Sequence, residues 1–206
     1  AAAISLDAIR LPNDLLSNPK RYLDSANFAT NFVFFRDQDG YSTRLSTGNY
    51  WTGYGARAVS LWLTLFDGGG RELARWQEDV PPDGAIRLDS RAIRARFNLP
   101  EFTGQLFFHA IGVAGHDVVK YALDTFGDGA ATSLSCTHDA NSWPADFYAG
   151  LPAPDTGERV TLWIQNSMPC PIPAGAVAIN RMGHDETRRF DQPVPPFAAV
   201  ARDIDA

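Results

Sequence analysis

The chain has 206 residues, of which 45% are hydrophobic and 20% charged, and its formal net charge is −6. Apolar residues in this proportion can build a core, and the length suits one large β domain or two small ones. No apolar run approaches the roughly 20 residues that a membrane-spanning helix needs, and Lys and Arg are scattered rather than clustered. We therefore expect a soluble domain, with neither direct membrane insertion nor nucleic-acid binding.

The cysteine content leaves the cellular compartment open. Cys136 and Cys170 could form one disulfide in an oxidising compartment, or remain two separate thiols in a reducing one. A cytoplasmic location and a periplasmic or secreted one are equally compatible with this sequence.

In chain order, the first predicted element is a short helix near the N-terminus, around residues 13–23, which Pro19 interrupts. Strands dominate after it. Short runs rich in β-branched and aromatic residues, bounded by Gly, Asp, Asn and Pro, predict strands at Phe32–Phe35, Val59–Phe66, Gln105–Ile111, Val118–Phe126 and Val160–Gln165. A second short helix is predicted at Ser90–Phe97, with Ser90 as its N-cap.

Asp/Gly-rich stretches between these strands predict hairpin turns, and hence antiparallel neighbours, at 39–40, 67–70 and 127–129. In the Val59–Phe66 strand one alternating set of side chains is apolar and the other contains Trp62 and Phe66, so both faces carry apolar area. This pattern predicts a strand that is covered on both sides.

An internal repeat is the most informative feature of the sequence. In the same order, two copies show a short Thr-rich strand, a loop containing Asn and Trp, a Val-x-Leu-Trp strand, a Val-Pro-Pro turn and a strand that ends in Asp. The matched strands are 43–47 with 132–136, 59–63 with 160–164, and 86–89 with 200–203. Chance similarity between unrelated β units is the alternative explanation.

The repeat predicts an all-β fold, an antiparallel β-sandwich built from two repeated Ig-like or jelly-roll-like units. The minor helices would lie near the N-terminus and in the linker between the repeats. The predicted division is an N-terminal extension at 1–27, a first sandwich repeat at 28–92, a linker with a connecting strand at 93–117, and a second repeat at 118–206.

The two matched loops are rich in aromatic residues surrounded by Gly, Pro, Asn and Asp. Such rings bury a large area at low entropic cost, which suits them to anchor a protein interface or to stack on sugar rings. The candidate binding residues are Tyr50, Trp51, Tyr54, Asn141, Trp143, Phe147 and Tyr148. Alternatively, Trp51 and Trp143 fold back into the core. Trp62 and Trp163, on matched strands, are expected in the core or between the units.

A second group of candidates could carry chemistry. Cys136 and His138 would share one face of a strand, and Asp139 follows them, which allows a mixed metal-ligand set or a Cys/His couple. His109 and His116 are further candidate metal ligands. The alternative is that the His-Asp dipeptides lie in ordinary polar turns. No nucleotide, zinc-protease or hydrolase motif is present, and no cofactor is expected.

We therefore interpret the sequence first as a non-catalytic binding or assembly module, which contacts a partner protein or a second copy of itself through its aromatic loops. A carbohydrate-binding module that uses the same loops is the first alternative. A metal-assisted or Cys/His-dependent enzyme centred on Cys136, His138 and Asp139 is the second.

Overall fold

The computed structural model describes residues 28–82, 84–114, 119–127, 135–138, 154–180, 183 and 185–204, and of Phe28 and residues 135–138 it describes the backbone. Within these ranges the chain is mostly antiparallel β-strand with one α-helix and one 3-10 helix, which confirms the all-β prediction. No helix in the described part of the chain is long and apolar enough to cross a membrane.

The strands are β1 (Phe28–Gln38), β2 (Tyr41–Gly48), β3 (Val59–Asp67), β4 (Glu72–Val80), β5 (Ala85–Asp89), β6 (Phe102–Ile111), β7 (Tyr121–Gly127), β8 (Ser135–His138), β9 (Val160–Gln165), β10 (Ala178–Asn180), β11 (Thr187–Arg189) and β12 (Ala199–Ile204). The 3-10 helix is Tyr50–Tyr54, and helix α1 is Ser90–Arg96. Each of the five predicted strand runs overlaps one of these strands.

The described strands form one large sheet in the order β4-β3-β6-β1-β2-β7-β8, with β5 paired to β2. Two of the predicted turns join neighbouring antiparallel strands: the turn at 39–40 joins β1 to β2, and the turn at 67–70 joins β3 to β4. In the first turn Asp39 and Gly40 both have positive φ, as a two-residue hairpin loop requires.

Strand β6 pairs with β1 on one side and with β3 on the other, although it comes much later in the sequence than either of them. It belongs to the segment predicted as a linker, and β7 and β8 belong to the predicted second unit. The sheet therefore runs across the predicted unit boundaries. The division into four segments stays a prediction.

One face of β1, β3 and β6 forms the main core. Alternate side chains on these strands are almost fully buried, among them Val33, Leu63 and Phe108. They belong to the same hydrophobic cluster as Leu45 of β2 and Leu123 of β7. Burial of alternate residues is the expected outcome of the two-residue period of a strand.

The opposite face of these strands is covered in part by the C-terminal segment, which contains the two-stranded sheet of β9 and β12. The rings of Phe34 and Trp163 have centroids 5.0 Å apart, and those of Phe66 and Phe197 are 4.9 Å apart. Trp163 therefore packs between segments, as predicted for this residue.

A buried polar link fixes the same contact. Gln105, fully buried on β6, donates a hydrogen bond from Nε2 to the carbonyl oxygen of Asn166 at 2.8 Å and accepts one from Gln165 Nε2 at 3.3 Å. A buried amide is tolerated when its donors and acceptors are satisfied. This link therefore defines where the C-terminal segment sits on the sheet.

Helix α1 begins one residue earlier than its predicted cap implied. The N-cap is Asp89, whose carboxylate accepts hydrogen bonds from the backbone N–H groups of Arg91 and Ala92. Ser90 is instead buried, and its hydroxyl accepts a hydrogen bond from the backbone N–H of Thr43 at 3.0 Å. Both residue types cap helices well, so the tertiary contact to β2 decides between them. The helix predicted at 13–23 lies outside the described residues.

Candidate binding surface

The first predicted aromatic loop forms the 3-10 helix between β2 and β3. Asn49, just before it, is buried and donates from its side-chain amide to the carbonyl oxygen of Pro81 at 3.1 Å. Gly55, just after it, adopts a left-handed conformation with φ 95°. Asn49 therefore joins the start of the short helix to the end of β4, and Gly55 ends the helix.

The three aromatic residues of this loop have different environments. Trp51 is fully buried in the core cluster, which agrees with the alternative in which this ring folds back. Tyr50 is half-buried against it, with ring centroids 4.5 Å apart, and its hydroxyl accepts a hydrogen bond from the backbone N–H of Lys120. Tyr54 is 46% exposed. Of the three aromatic residues, Tyr54 is the most exposed to solvent.

The second aromatic loop, with Asn141, Trp143, Phe147 and Tyr148, lies outside the described residues, as do Asp139 and His116. Cys136 and His138 lie two residues apart on β8, where they pair with Asp124 and Ala122 of β7. The enzyme hypothesis that rests on them stays a prediction.

His109 lies on β6 between two uncharged cross-strand neighbours, Thr30 of β1 and Trp62 of β3. Its Nδ1 and Thr30 Oγ1 are hydrogen-bonded at 2.6 Å, and its ring stacks on Phe107. Burial lowers the pKa of His109 from its ordinary value of 6.5, which favours the neutral imidazole. Among the described residues, no three His, Cys, Asp or Glu side chains lie close enough together to hold a metal ion.

An exposed aromatic surface lies beside His109, on the sheet face that the C-terminal segment covers elsewhere. We call it the open face and define it by Thr30, Ser60, Trp62, Gln77, His109 and Ile111. Trp62 is 50% exposed and Ile111 is 40% exposed. The prediction that Trp62 is a core or inter-unit residue is therefore wrong.

The open face consists of two cross-strand rows. One row is Thr30, His109, Trp62 and Gln77 on β1, β6, β3 and β4; the other contains Ile111 and Ser60. The C-terminal segment covers the next cross-strand row, which contains Phe32 and Thr64. There Thr64 is buried, and the ring of Phe32 stacks on that of Phe197, with centroids 6.1 Å apart. The C-terminal segment therefore covers part of this face and leaves Trp62 exposed.

The cross-strand neighbours of Trp62 are the polar residues His109 and Gln77, and Ile111 in the adjacent row is apolar. Gln77 donates from Nε2 to Ser60 Oγ at 2.5 Å, and Thr30 and His109 are joined as described. On this face of β4 the charged residues nearest to Gln77 are Arg75, which pairs with Glu72 at 2.6 Å, and Asp79. Asp79 is the cross-strand neighbour of Ser60; it follows Gln77 by two residues on β4 and is exposed.

A concave region with a volume of about 560 Å³ lies beside α1. Its polar side chains are bonded to one another. Arg91 Nε donates to Ser42 Oγ at 2.7 Å, and Ser42 Oγ donates to Asp37 Oδ1 at 2.8 Å. Arg94 donates to the other oxygen of Asp37 at 3.2 Å. This network attaches the helix to the β1–β2 hairpin.

Sequence reasoning identified Tyr54 as an exposed aromatic residue and missed Trp62, Gln77 and Ile111. The available signal was the alternation of the β3 strand, in which Trp62 lies on the face opposite Leu61 and Leu63. That alternation indicates two faces, but it does not show how far the second one is covered.

The chain matches no protein-family model, and a search of curated proteins finds no significant match. The surface is therefore interpreted from its own geometry.

Proposed function

We propose that this chain is a non-catalytic binding or assembly module that contacts its partner through the open face. The observation that carries the proposal is the half-exposed indole of Trp62, on a sheet face that is covered in part by aromatic contacts from the C-terminal segment. Covering the exposed half of an indole removes about 100 Å² from water, which is worth about 2–3 kcal/mol. A ligand or partner that covers Trp62 gains this free energy.

Tyr54 is a second exposed aromatic residue, on the 3-10 helix that precedes β3. Its exposed ring supports the part of the original hypothesis that used loop aromatics, whereas buried Trp51 takes a packing role. A partner protein, a second copy of the chain and a glycan are the three classes of occupant that the sequence analysis named.

The experiment compares the wild-type chain with Trp62→Ala, and with Met168→Ala as a matched control. Met168 is 43% exposed on the C-terminal segment and is not one of the residues that form the open face. Self-association is measured by light scattering over a concentration series, saccharide binding by calorimetry, and protein capture by immobilised chain in a cell extract. We expect at least one activity of the wild type to be lost in Trp62→Ala and kept in Met168→Ala. Equal behaviour of all three chains in all three assays would contradict the proposal.

The finer fold hypothesis, two repeated sandwich units, is also part of the proposal. It is supported by the order of strands, since the matched segments of the first copy lie in β2, β3 and β5. In the second copy the segments at 160–164 and 200–203 lie in β9 and β12, and residues 135–136 of the remaining segment lie in β8. The matched strands pair differently, because β5 pairs with β2 whereas β12 pairs with β9. The proposed units are therefore related in strand order rather than in strand pairing.

A further inference from the structure

We propose that the open face binds an uncharged oligosaccharide, with one sugar ring stacked on the indole of Trp62. This inference rests on the proposed function and specifies its ligand class. It depends on three observations: the size of the exposed apolar area, the polar groups that surround it, and the position of the nearest charges.

The exposed apolar area suits a small ligand better than a protein. Half of a Trp side chain amounts to about 100 Å², and Ile111, 40% exposed, adds a smaller area. A stable protein interface buries about 800 Å² of polar and apolar surface together on each partner, of which somewhat more than half is apolar. A sugar ring is similar in size to the indole, and the C–H groups on its face suit the negative face of the aromatic ring.

The groups beside the ring can bind hydroxyl groups. Gln77 is exposed next to Trp62 on β4, and its Nε2 is engaged with Ser60, while its Oε1 accepts no hydrogen bond from any described residue. That carbonyl oxygen is a ready acceptor for a sugar hydroxyl. On the other side of the ring stand Thr30 and His109, and burial lowers the pKa of His109, which favours its neutral form.

The distribution of charge favours a neutral sugar over an acidic one. The row that contains Trp62 carries no Lys, Arg, Asp or Glu. Arg75, one row away, is paired with Glu72, and Asp79 on the other side would repel an anion. An acidic saccharide would find no unpaired cation along these three positions of β4.

The test uses the full chain and a panel of soluble hexasaccharides: cellohexaose, xylohexaose, mannohexaose and chitohexaose, with a galacturonic acid hexamer as the acidic probe. Binding is measured by isothermal calorimetry. We expect saturable binding of at least one neutral probe, and none of the acidic probe. Trp62→Ala should weaken that binding by at least about tenfold, which is the usual effect of removing an aromatic anchor.

Two further variants separate stacking from general damage. Trp62→Phe keeps an aromatic ring and should retain most of the affinity, and Gln77→Ala should weaken binding by about threefold to tenfold through the lost acceptor. Met168→Ala should bind like the wild type, and the thermal unfolding of each variant shows whether it is folded. If no neutral probe binds, or if Trp62→Ala binds as well as the wild type, the inference is wrong.

The same variants distinguish this failure from failure of the proposed function. Light scattering that shows Trp62-dependent self-association, without saccharide binding, would overturn the carbohydrate inference and leave the binding-module proposal standing. If Trp62→Ala keeps both saccharide binding and self-association at the wild-type level, the carbohydrate inference and the binding-module proposal are both overturned.

Discussion

At the residue scale, Asn166 shows how one buried side chain can organise a segment that has little regular structure. Its Nδ2 lies within hydrogen-bonding distance of the carbonyl oxygens of Cys170, Val194 and Pro195, at 2.8, 3.2 and 2.9 Å. Its Oδ1 accepts a hydrogen bond from the backbone N–H of Met168. Backbone groups that a sheet does not pair are satisfied here by a single amide.

We expect Asn166→Ala to lower the free energy of unfolding by about 1–3 kcal/mol, because it removes the hydrogen bonds that this buried side chain makes to four backbone groups of the segment. Urea denaturation measures the change. Asn180→Ala is the control, since Asn180 is exposed on β10, and it should change stability by no more than about 0.5 kcal/mol. Equal effects of the two substitutions would contradict the role given to Asn166.

His109 makes stability depend on pH in a direction that its environment determines. Its pKa is below 6.5 in the folded chain because burial disfavours the charged ring. At pH values between that lowered pKa and 6.5, the imidazole of the unfolded chain binds a proton that the folded chain does not bind. The stability that the folded chain gains from the neutral imidazole is therefore complete above pH 6.5 and is lost as the pH falls below 6.5.

We expect His109→Gln to lose less stability than the wild type between about pH 7 and about pH 5, because the substitution removes this titration. Urea unfolding of both chains at both pH values gives the comparison. If the two chains lose the same amount, His109 is not the source of the pH dependence.

At the scale of elements, the pairing of β3 with β6 depends on a glycine. A Cβ atom added at Gly104 would overlap the carbonyl oxygen of Phe66 on the neighbouring strand. The obstacle is backbone, so it cannot move without separating the strands. Gly104 therefore permits the close approach of β3 and β6 at this end of the sheet.

We expect Gly104→Ala to destabilise the fold by about 2–3 kcal/mol or more, since overpacking a paired backbone is costly. Thermal unfolding monitored by circular dichroism measures the effect. Gly53→Ala is the matched control, because a Cβ at Gly53 meets nothing within 4 Å. A melting temperature lowered equally by both substitutions would show that lost glycine flexibility, rather than the contact with Phe66, is responsible.

The strands could be predicted well from sequence because period-two alternation and Asp/Gly turns are local signals. The sheet order could not, because pairing of β1 with β6 joins residues more than 60 positions apart. Trp51 and Trp62 show the same limit for the site. Trp51 lies in a polar loop and is buried, whereas Trp62 lies in an apolar strand and is exposed, since exposure depends on what the rest of the chain covers.

At the scale of the whole molecule, the C-terminal segment is attached to the sheet by a small set of contacts. Trp163 packs on Phe34 and lies beside the guanidinium of Arg36, and the backbone N–H of Ala199 donates to the carbonyl oxygen of Gly68 at 3.1 Å. Together with the Gln105 link, these contacts join β9 and β12 to the large sheet.

We expect Trp163→Ala to speed amide hydrogen exchange in β9 and β12 more than in β3 and β6, because it weakens the attachment without entering the main core. Exchange followed by mass spectrometry resolves the two regions. Met168→Ala, an exposed position on the same segment, should leave both rates unchanged. Uniform acceleration throughout the chain after Trp163→Ala would show that the segment and the sheet unfold together.

The position of β6 between β1 and β3 has a consequence for synthesis of the chain. The β3–β4 hairpin can form as soon as it is made, whereas β1 and β3 each lack a neighbour until β6 follows them. Nascent chains that stop before residue 102 therefore expose two long apolar strand edges, which invite aggregation. Formation of the native sheet must wait for β6, and such non-local pairing is slow.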